Sequence, residues 1–515
     1  MNHSHRIPCL FAAAALAAAA VAQDAPAPRP AQPQDGVSLT VYSSADPASF
    51  DPEQFLQQAR GGANLGQRVP GFGVVKEVRT LALQQGLNDL RFTDVAQFLD
   101  PTTVSFADLA NPLGTAVLEQ NFQFDLVSAD KVLQKYVDRP ITVMLRSGTA
   151  KEEIAGTLLS VSGNELVLMT QNGLRVVPRH GQELQLGQLP GGLISRPTLV
   201  WKVRAAEAGE RRVRTTYQTA GLTWRADYTL VLAAGETQAD IGAWVTLLNL
   251  CGMGFPNAQL KLIAGDVQRV QPATRGRAER AKALAAAEMD AGGFQEKSFF
   301  EYHLYTLPRR TDVLANTSQQ LVLFPTARGA KVEKILVYYG LPDARFWTFA
   351  TPSIDRDLGS QANKKVDVYV RFDNKKDHNL GMPLPAGKVR VFKQDDADGT
   401  LEFIGEDLID HTPKDERVLI KLGQSFDVVG DRVQTDFKVD SRAHWLQESY
   451  RIELRNRKDA PVRVLVKENL YRWNNWEITQ KSDEFTKVDS RTVHFEIEVK
   501  ANETRHLTYT VRYTW

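Results

Sequence analysis

Cysteine is almost missing from this chain: only Cys9 and Cys251 occur, too few for a disulfide-stapled fold. An excess of one charge is missing too, with 62 Lys and Arg against 61 Asp and Glu over 515 residues. Nothing in that balance calls for nucleic acid as a partner. No apolar run reaches the about 20 residues of a membrane-spanning helix. Charged residues make up 24% of the chain, more than a polytopic helical membrane protein carries. Neither HExxH nor GxSxG occurs, which removes the helix-borne zinc site and the serine-hydrolase elbow of those types.

What is present begins with an address. Residues 1–6 end on the cation Arg6, and 7–22 run apolar and alanine-rich to Ala20, Val21 and Ala22. That is the small-x-small ending a signal peptidase reads. A signal peptide is expected over 1–22, with cleavage after Ala22 and a periplasmic or secreted product. Cys9 precedes the apolar run, a position that does not suit lipoprotein acylation, and its removal leaves Cys251 as the mature chain's single thiol. Residues 23–36 are rich in Pro and Ala and predict a semi-extended linker.

From residue 37 onward the recurring period is two. Val37, Leu39 and Val41 alternate, as do Val366, Val368, Val370 and Phe372. Tyr450, Ile452 and Leu454 face away from Arg451, Glu453 and Arg455, and Val493, Phe495, Ile497 and Val499 alternate with His494, Glu496 and Glu498. Such alternation predicts half-buried antiparallel strands. Helical signal is sparse: a short helix over 52–59, and helix formers over 275–289 (RGRAERAKALAAAEM) whose apolar content is mostly alanine.

The fold class expected is mainly β: antiparallel β-sandwiches in several domains, a small SH3-like or Sm-like barrel, and one short helical insertion. The boundaries expected are an N-terminal β domain at 37–136, the small barrel at 137–190 and a large sandwich region at 196–515. The last carries a helical or disordered insertion at 273–293. The barrel is suggested by four short apolar runs between turns at Ser147-Gly148, Gly163-Asn164 and Asn172-Gly173.

Several long segments carry a resemblance. They include 217–228 (YQTAGLTWRADY), 242–249 (GAWVTLLN), 257–266 (NAQLKLIAGD) and 403–416 (FIGEDLIDHTPKDE). Residues 300–305, 426–436, 468–476 and much of 37–130 fit the same pattern. The chain resembles the bacterial domain of unknown function 4139 family, and distantly the mucoidy-inhibitor-like proteins. The resemblance implies an extracytoplasmic, β-rich protein with no assigned activity. Cys251 departs from the small hydroxyl residue expected there.

His180, His303, His378, His411, His444, His494 and His506 show no zinc-helix spacing. Cys251 lies among Leu247, Leu248, Leu250 and Met253, the setting of a buried small hydrophobe rather than a nucleophile. The Gly252-Met253-Gly254 stretch has Asn257 where a dinucleotide fingerprint has its third glycine. Placing Gly399 at the sixth position of a calcium loop puts Gln394 first and Gly405 last. Both required carboxylates are then missing, and a hairpin turn at Asp398-Gly399 fits better.

Glu406, Asp407, Asp410, His411 and Glu416 form the most suggestive polar group. A histidine among carboxylates suits acid–base chemistry, whereas the Thr412-Pro413-Lys414-Asp415 turn suits a structural role. Tyr471, Trp473 and Trp476 offer a platform for a sugar or protein if exposed, and core if buried.

No catalytic residue, cofactor or metal is expected. The leading expectation is a non-catalytic extracytoplasmic protein that binds or organises an envelope protein or polysaccharide, without nucleic acid and without membrane integration. The alternatives are an envelope-polymer hydrolase built on the His411 segment, and an outer-membrane β-barrel. The latter is suggested by the alternating close Leu507, Tyr509, Val511, Tyr513, Trp515.

Overall fold

Strands that alternate apolar and polar side chains bury one face and leave the other wet, and many of the described strands follow that rule. The computed structural model describes residues 36–515 apart from 62–64, 125–127, 148–149, 189–193, 266–294, 300–301, 361 and 396. The expected signal peptide, the linker up to residue 35 and the alanine-rich insertion at 273–293 lie outside the described residues. Within them the chain is mainly β, as the period of two predicts, with two α-helices, Pro52–Arg60 and Ala129–Lys135. No described helix is long and apolar enough to cross a membrane.

Four sheets form. In the eight-stranded sheet Gly36–Ser43 lies between Gly71–Leu83, antiparallel, and Phe255–Ala264, parallel, with Leu39 opposite Val75 and Leu260. Gly71–Leu83 in turn pairs with Gly209–Thr219. In the three-stranded sheet Thr198–Ala205 is flanked by Gly86–Thr93 and Thr115–Gln123. Strands drawn from 37–136 thus share ladders with strands from 198–264.

Residues 140–185 make a five-stranded antiparallel sheet around Ile141, Val143, Ile154, Leu158, Leu166 and Leu168. It has one strand more than the four apolar runs of the sequence, the three-residue Glu183–Gln185, too short to show a period. It is open, because its outer strands Glu183–Gln185 and Gly173–Pro178 are not paired with each other.

The thirteen-stranded sheet spans two cores. Thr317–Tyr339 and Arg417–Asp440 run 23 and 24 residues. The first halves of these strands feed Leu321, Leu323, Val418 and Ile420 into one core. Further along them Leu336, Tyr338 and Val428 enter the other. Long strands of this kind turn the corner between packed layers at bulges, and both carry register shifts along their ladders. The closing strand Thr504–Thr514 sits between Trp445–Asn456 and Trp476–Lys481. Its Leu507, Tyr509, Val511 and Tyr513 are buried in the second core.

The helix expected over 52–59 is present, with Asp51 Oδ1 accepting from the Glu53 amide at 3.0 Å. Ala129–Lys135 was not expected, since seven residues are too short for a 3.6-residue period to stand out. Two local features make it: Ser128 Oγ accepts from the Lys131 amide at 3.3 Å, and Leu133 is buried against the five-stranded sheet. Ser128→Ala is expected to lower stability by about 0.5–2 kcal/mol and Ser128→Asp to leave it nearly unchanged, read as urea midpoints. Equal midpoints for all three proteins would show that the cap contributes nothing.

Candidate functional site

A carboxylate in phase with the apolar residues of a strand is carried into the core with them. Glu448 continues the inward series Leu446, Tyr450, Ile452, Leu454 on Trp445–Asn456, and Glu468 continues Val464, Val466 on Val462–Asn469. Arg432 is likewise in phase with Val428 and Gly430 on Arg417–Asp440. An isolated ion so buried is costly, and the structure answers with partners. Arg432 Nε donates to Glu468 Oε2 at 2.9 Å, with both side chains 2% exposed. Arg472 Nε donates to Glu448 Oε2 at 2.6 Å, with both at 1%.

Tyrosines and one glutamine add further donors to the two carboxylates. Tyr450 and Tyr513 hydroxyls donate to Glu448 at 2.7 and 3.3 Å, Gln434 Nε2 donates to it at 3.1 Å, and Tyr509 donates to Glu468. The Arg432 guanidinium lies 3.6 Å from the centre of the Tyr450 ring. Burial works against the Arg432 charge, but Glu468 together with Tyr509, Tyr450 and Tyr471 outweighs it and holds the guanidinium above its ordinary range. Burial, and then Glu468, hold the Tyr509 hydroxyl protonated well above the usual tyrosine range.

Other N–H groups of both arginines reach one segment, residues 341–360, which follows Thr317–Tyr339. Arg472 Nη1 donates to the carbonyls of Ser353 at 3.2 Å and Asp355 at 2.6 Å, and its Nη2 to Leu358 at 3.2 Å. Arg432 Nη1 donates to the Gly359 carbonyl at 3.2 Å, and Tyr471 Oη to Leu358 at 2.9 Å. From the far side Arg491 Nη1 donates to the Trp347 carbonyl at 2.9 Å, and the Trp347 ring meets Tyr471 edge-on at 5.0 Å. The segment has little regular structure of its own beyond one 3₁₀ turn, Pro342–Phe346. Two glycines let it come this close. A Cβ at Gly340 would overlap Arg432 and crowd Glu468, and Gly359 holds φ +76° with Tyr471 against it. While its backbone is held, the segment leaves Phe346, Phe349 and Ile354 exposed at 69%, 38% and 48%.

A family model described as a domain of unknown function, DUF4139, matches residues 213–515, more than half of the chain. The chain belongs to the DUF4139 family. No curated protein matches it. Both arginine–glutamate pairs and the segment they hold fall inside the DUF4139 region, whereas the five-stranded sheet falls before it.

The residues singled out by sequence fall in three places of the DUF4139 chain. Tyr471 is buried at 2% exposure and belongs to the cluster just described. Trp473 and Trp476 are half-buried against the second core, with Trp476 Nε1 donating to the Ser490 carbonyl at 2.7 Å and Lys487 lying 4.6 Å from the ring centre. Tyr471 and Trp473 share no strand face, because the chain bends there between Val462–Asn469 and Trp476–Lys481.

The acidic segment lies elsewhere, at the edge of the first core. Glu406 faces Lys388 at 3.3 Å and Arg390 at 3.5 Å. Asp407 accepts from the Leu408 amide at 2.9 Å and the Lys421 amide at 2.6 Å, bridging Leu401–Ile409 to Arg417–Asp440, between which no ladder forms. His411 Nδ1 accepts from the Ala386 amide at 3.1 Å. The Asp410 and Glu416 carbonyls accept from Thr412 Oγ1 and the Asn374 amide, both at 2.8 Å. Asp398 ties the 398–400 hairpin turn through Thr400, whose hydroxyl holds its carboxyl below the ordinary range. Among the described residues no group of three or more His, Cys, Asp or Glu is arranged to hold a metal ion.

Reading the motifs misses Arg432, Glu448, Glu468 and Arg472. For the first three the signal was present as phase: a charge in step with an apolar series. Arg472 follows no strand and left none.

Arg472→Met is expected to cost about 3–5 kcal/mol, because it leaves Glu448 charged and unpaired in the core. Adding Glu448→Leu should recover most of that loss, and urea unfolding of the four proteins of the cycle gives the coupling. A single variant within about 0.5 kcal/mol of the parent would contradict the assignment. Burial pushes the Cys251 thiol up to about 12 from an ordinary 9.0, so the folded chain holds this proton more tightly than the unfolded one. Its contribution to stability is full below about pH 9 and lost as pH climbs toward 12. At pH 8 the thiol of the folded protein should resist iodoacetamide and react once urea unfolds it; rapid labelling of the folded protein would refute this.

Proposed function

We propose that this DUF4139 protein is exported from the cytoplasm and works outside it as a non-catalytic binding module. Residues 341–360 are its recognition element, and its partner is another protein of the envelope. The observation that carries the proposal is the direction of the arginine hydrogen bonds. Two ion pairs that would cost less as apolar residues are built in the core, and their spare donors converge on one irregular segment. A segment held in one conformation loses little freedom on binding, and exposed aromatic side chains on a rigid support are what protein interfaces use as anchors. Phe346 and Phe349 bring no polar group of their own, which favours an apolar protein surface over a polysaccharide.

Export is supported by the cationic start, the apolar run over 7–22 and the small-x-small ending at Ala22. The acidic segment around His411 is engaged in holding strand edges and turns, which supports the binding reading over the hydrolytic one.

The test is photo-crosslinking in intact cells from a benzophenone side chain at 346 or 349, with position 87 on a distant exposed strand as the control. Expected are one protein adduct common to 346 and 349 and absent from 87, and a mature chain in the extracytoplasmic fraction. The pair Phe346→Ser, Phe349→Ser should weaken binding to that protein about tenfold or more while leaving Tm within about 2 °C. A chain retained whole in the cytosol, or adducts indifferent to position, would sink the proposal.

A further inference from the structure

A second feature stands apart from residues 341–360. Where Phe255–Ala264 pairs with the short strand Thr311–Val313, the chain leaves a cleft of about 610 Å³. That is within the range of small-molecule sites and far larger than a simple inorganic anion fills. Its walls are polar save for Leu314 and the aliphatic stems of its long side chains. Two guanidinium groups adjoin it. Arg310 is fixed, its Nη1 donating to the Asn257 carbonyl at 2.7 Å. Arg309 is exposed and makes no hydrogen bond or ion pair with a described residue. Asp312 opposes them but is engaged, accepting from the Asn257 amide at 2.7 Å. The walls therefore carry one net positive charge, with a guanidinium available to deliver it.

Gln319 also lines the cleft. Its Nε2 donates to Thr311 Oγ1 at 3.5 Å, but its Oε1 is buried with no hydrogen-bond partner among the described residues. A buried acceptor left unpaired is rare in folded proteins and asks for a donor. Next to it the Ser318 hydroxyl makes no hydrogen bond with a described residue, whereas that of Thr317 is engaged with the Leu314 carbonyl at 2.9 Å. The cleft thus offers a cation, an acceptor and a hydroxyl.

We propose that this cleft binds a monosaccharide-sized sugar acid, its carboxylate on Arg309 and its ring hydroxyls on Gln319 and Ser318. A guanidinium takes a carboxylate through paired N–H donors, and the carboxamide oxygen takes a hydroxyl proton. A neutral sugar leaves Arg309 unused, an apolar ligand leaves Gln319 unpaired, and a small carboxylate has no hydroxyl to give Gln319.

Titration calorimetry of the whole mature chain with sodium D-glucuronate, D-glucose and sodium acetate tests this. Glucuronate is expected to bind, glucose and acetate to bind about tenfold more weakly or not at all, and Arg309→Gln to weaken glucuronate binding about tenfold or more. Arg309 is exposed and unpartnered, so this variant should melt with the parent; Gln319→Leu, which removes the acceptor, should weaken glucuronate and leave acetate unchanged. Absence of glucuronate binding, equal binding of glucose or of acetate, or an Arg309→Gln variant that binds as the parent does, would each overturn the proposal.

Discussion

Two glutamates in step with the apolar faces of their strands set the terms for the C-terminal half of this molecule. A strand cannot bury Tyr450 and Ile452 and keep Glu448 in water, because side chains two apart share a face. Once the charge is inside, the alternatives are neutralisation or a full set of partners. With a guanidinium at 2.6 Å and tyrosine hydroxyls on the same carboxylate, the structure takes the second course. Coulomb attraction is strong in so dry a site, but desolvation is of the same order. A core of leucine and phenylalanine would have been at least as stable.

Much of the remaining architecture can be read as accommodation of that choice. An arginine offers more donors in a fixed fork than one carboxylate can accept, and in a β-sandwich the surrounding backbone groups are already engaged in ladders. The surplus must find carbonyls that no ladder uses. An irregular segment has such carbonyls, and residues 341–360 supply them. Thr317–Tyr339 has to deliver the chain over the cluster, and at its end Gly340 allows the backbone to pass Arg432 without a Cβ in the way. Even Tyr471, the most buried of the three aromatics that suggested a platform, proves to be a strut beneath the segment rather than part of an outer surface.

The sequence made the strands legible because period two is a local property: 37–41, 366–372, 450–454 and 493–499 each announce their buried face within a few residues. What it concealed was either too short for a period, as in Ala129–Lys135, or long-range, as in every partner of the cluster. Glu448 and Arg472 lie 24 residues apart, and the bend that turns Arg472 inward follows no pattern. Arg432 and Glu468 meet across a core from strands that do not share a ladder. The acidic stretch from Glu406 to Glu416 misled for the opposite reason. Closely spaced in sequence, its carboxylates and histidine alternate across an edge strand and a turn, so they face different neighbours and do not converge.

Motifs and phases therefore report different things about such a chain. A local concentration of acid–base residues on a strand is dispersed by the pleat, whereas isolated charges lying in phase with apolar series are gathered by the fold. Stability does not account for the gathered charges, since apolar residues of the same size pack without desolvation cost. What the charges provide that leucine cannot is direction: a hydrogen bond fixes the position and orientation of the backbone it accepts from or donates to, and dispersion forces do not. A segment with almost no ladder of its own can hold one conformation over a sandwich only if donors beneath it are aimed at particular carbonyls. Arg432 and Arg472 are aimed in that way, and the two glutamates hold them there.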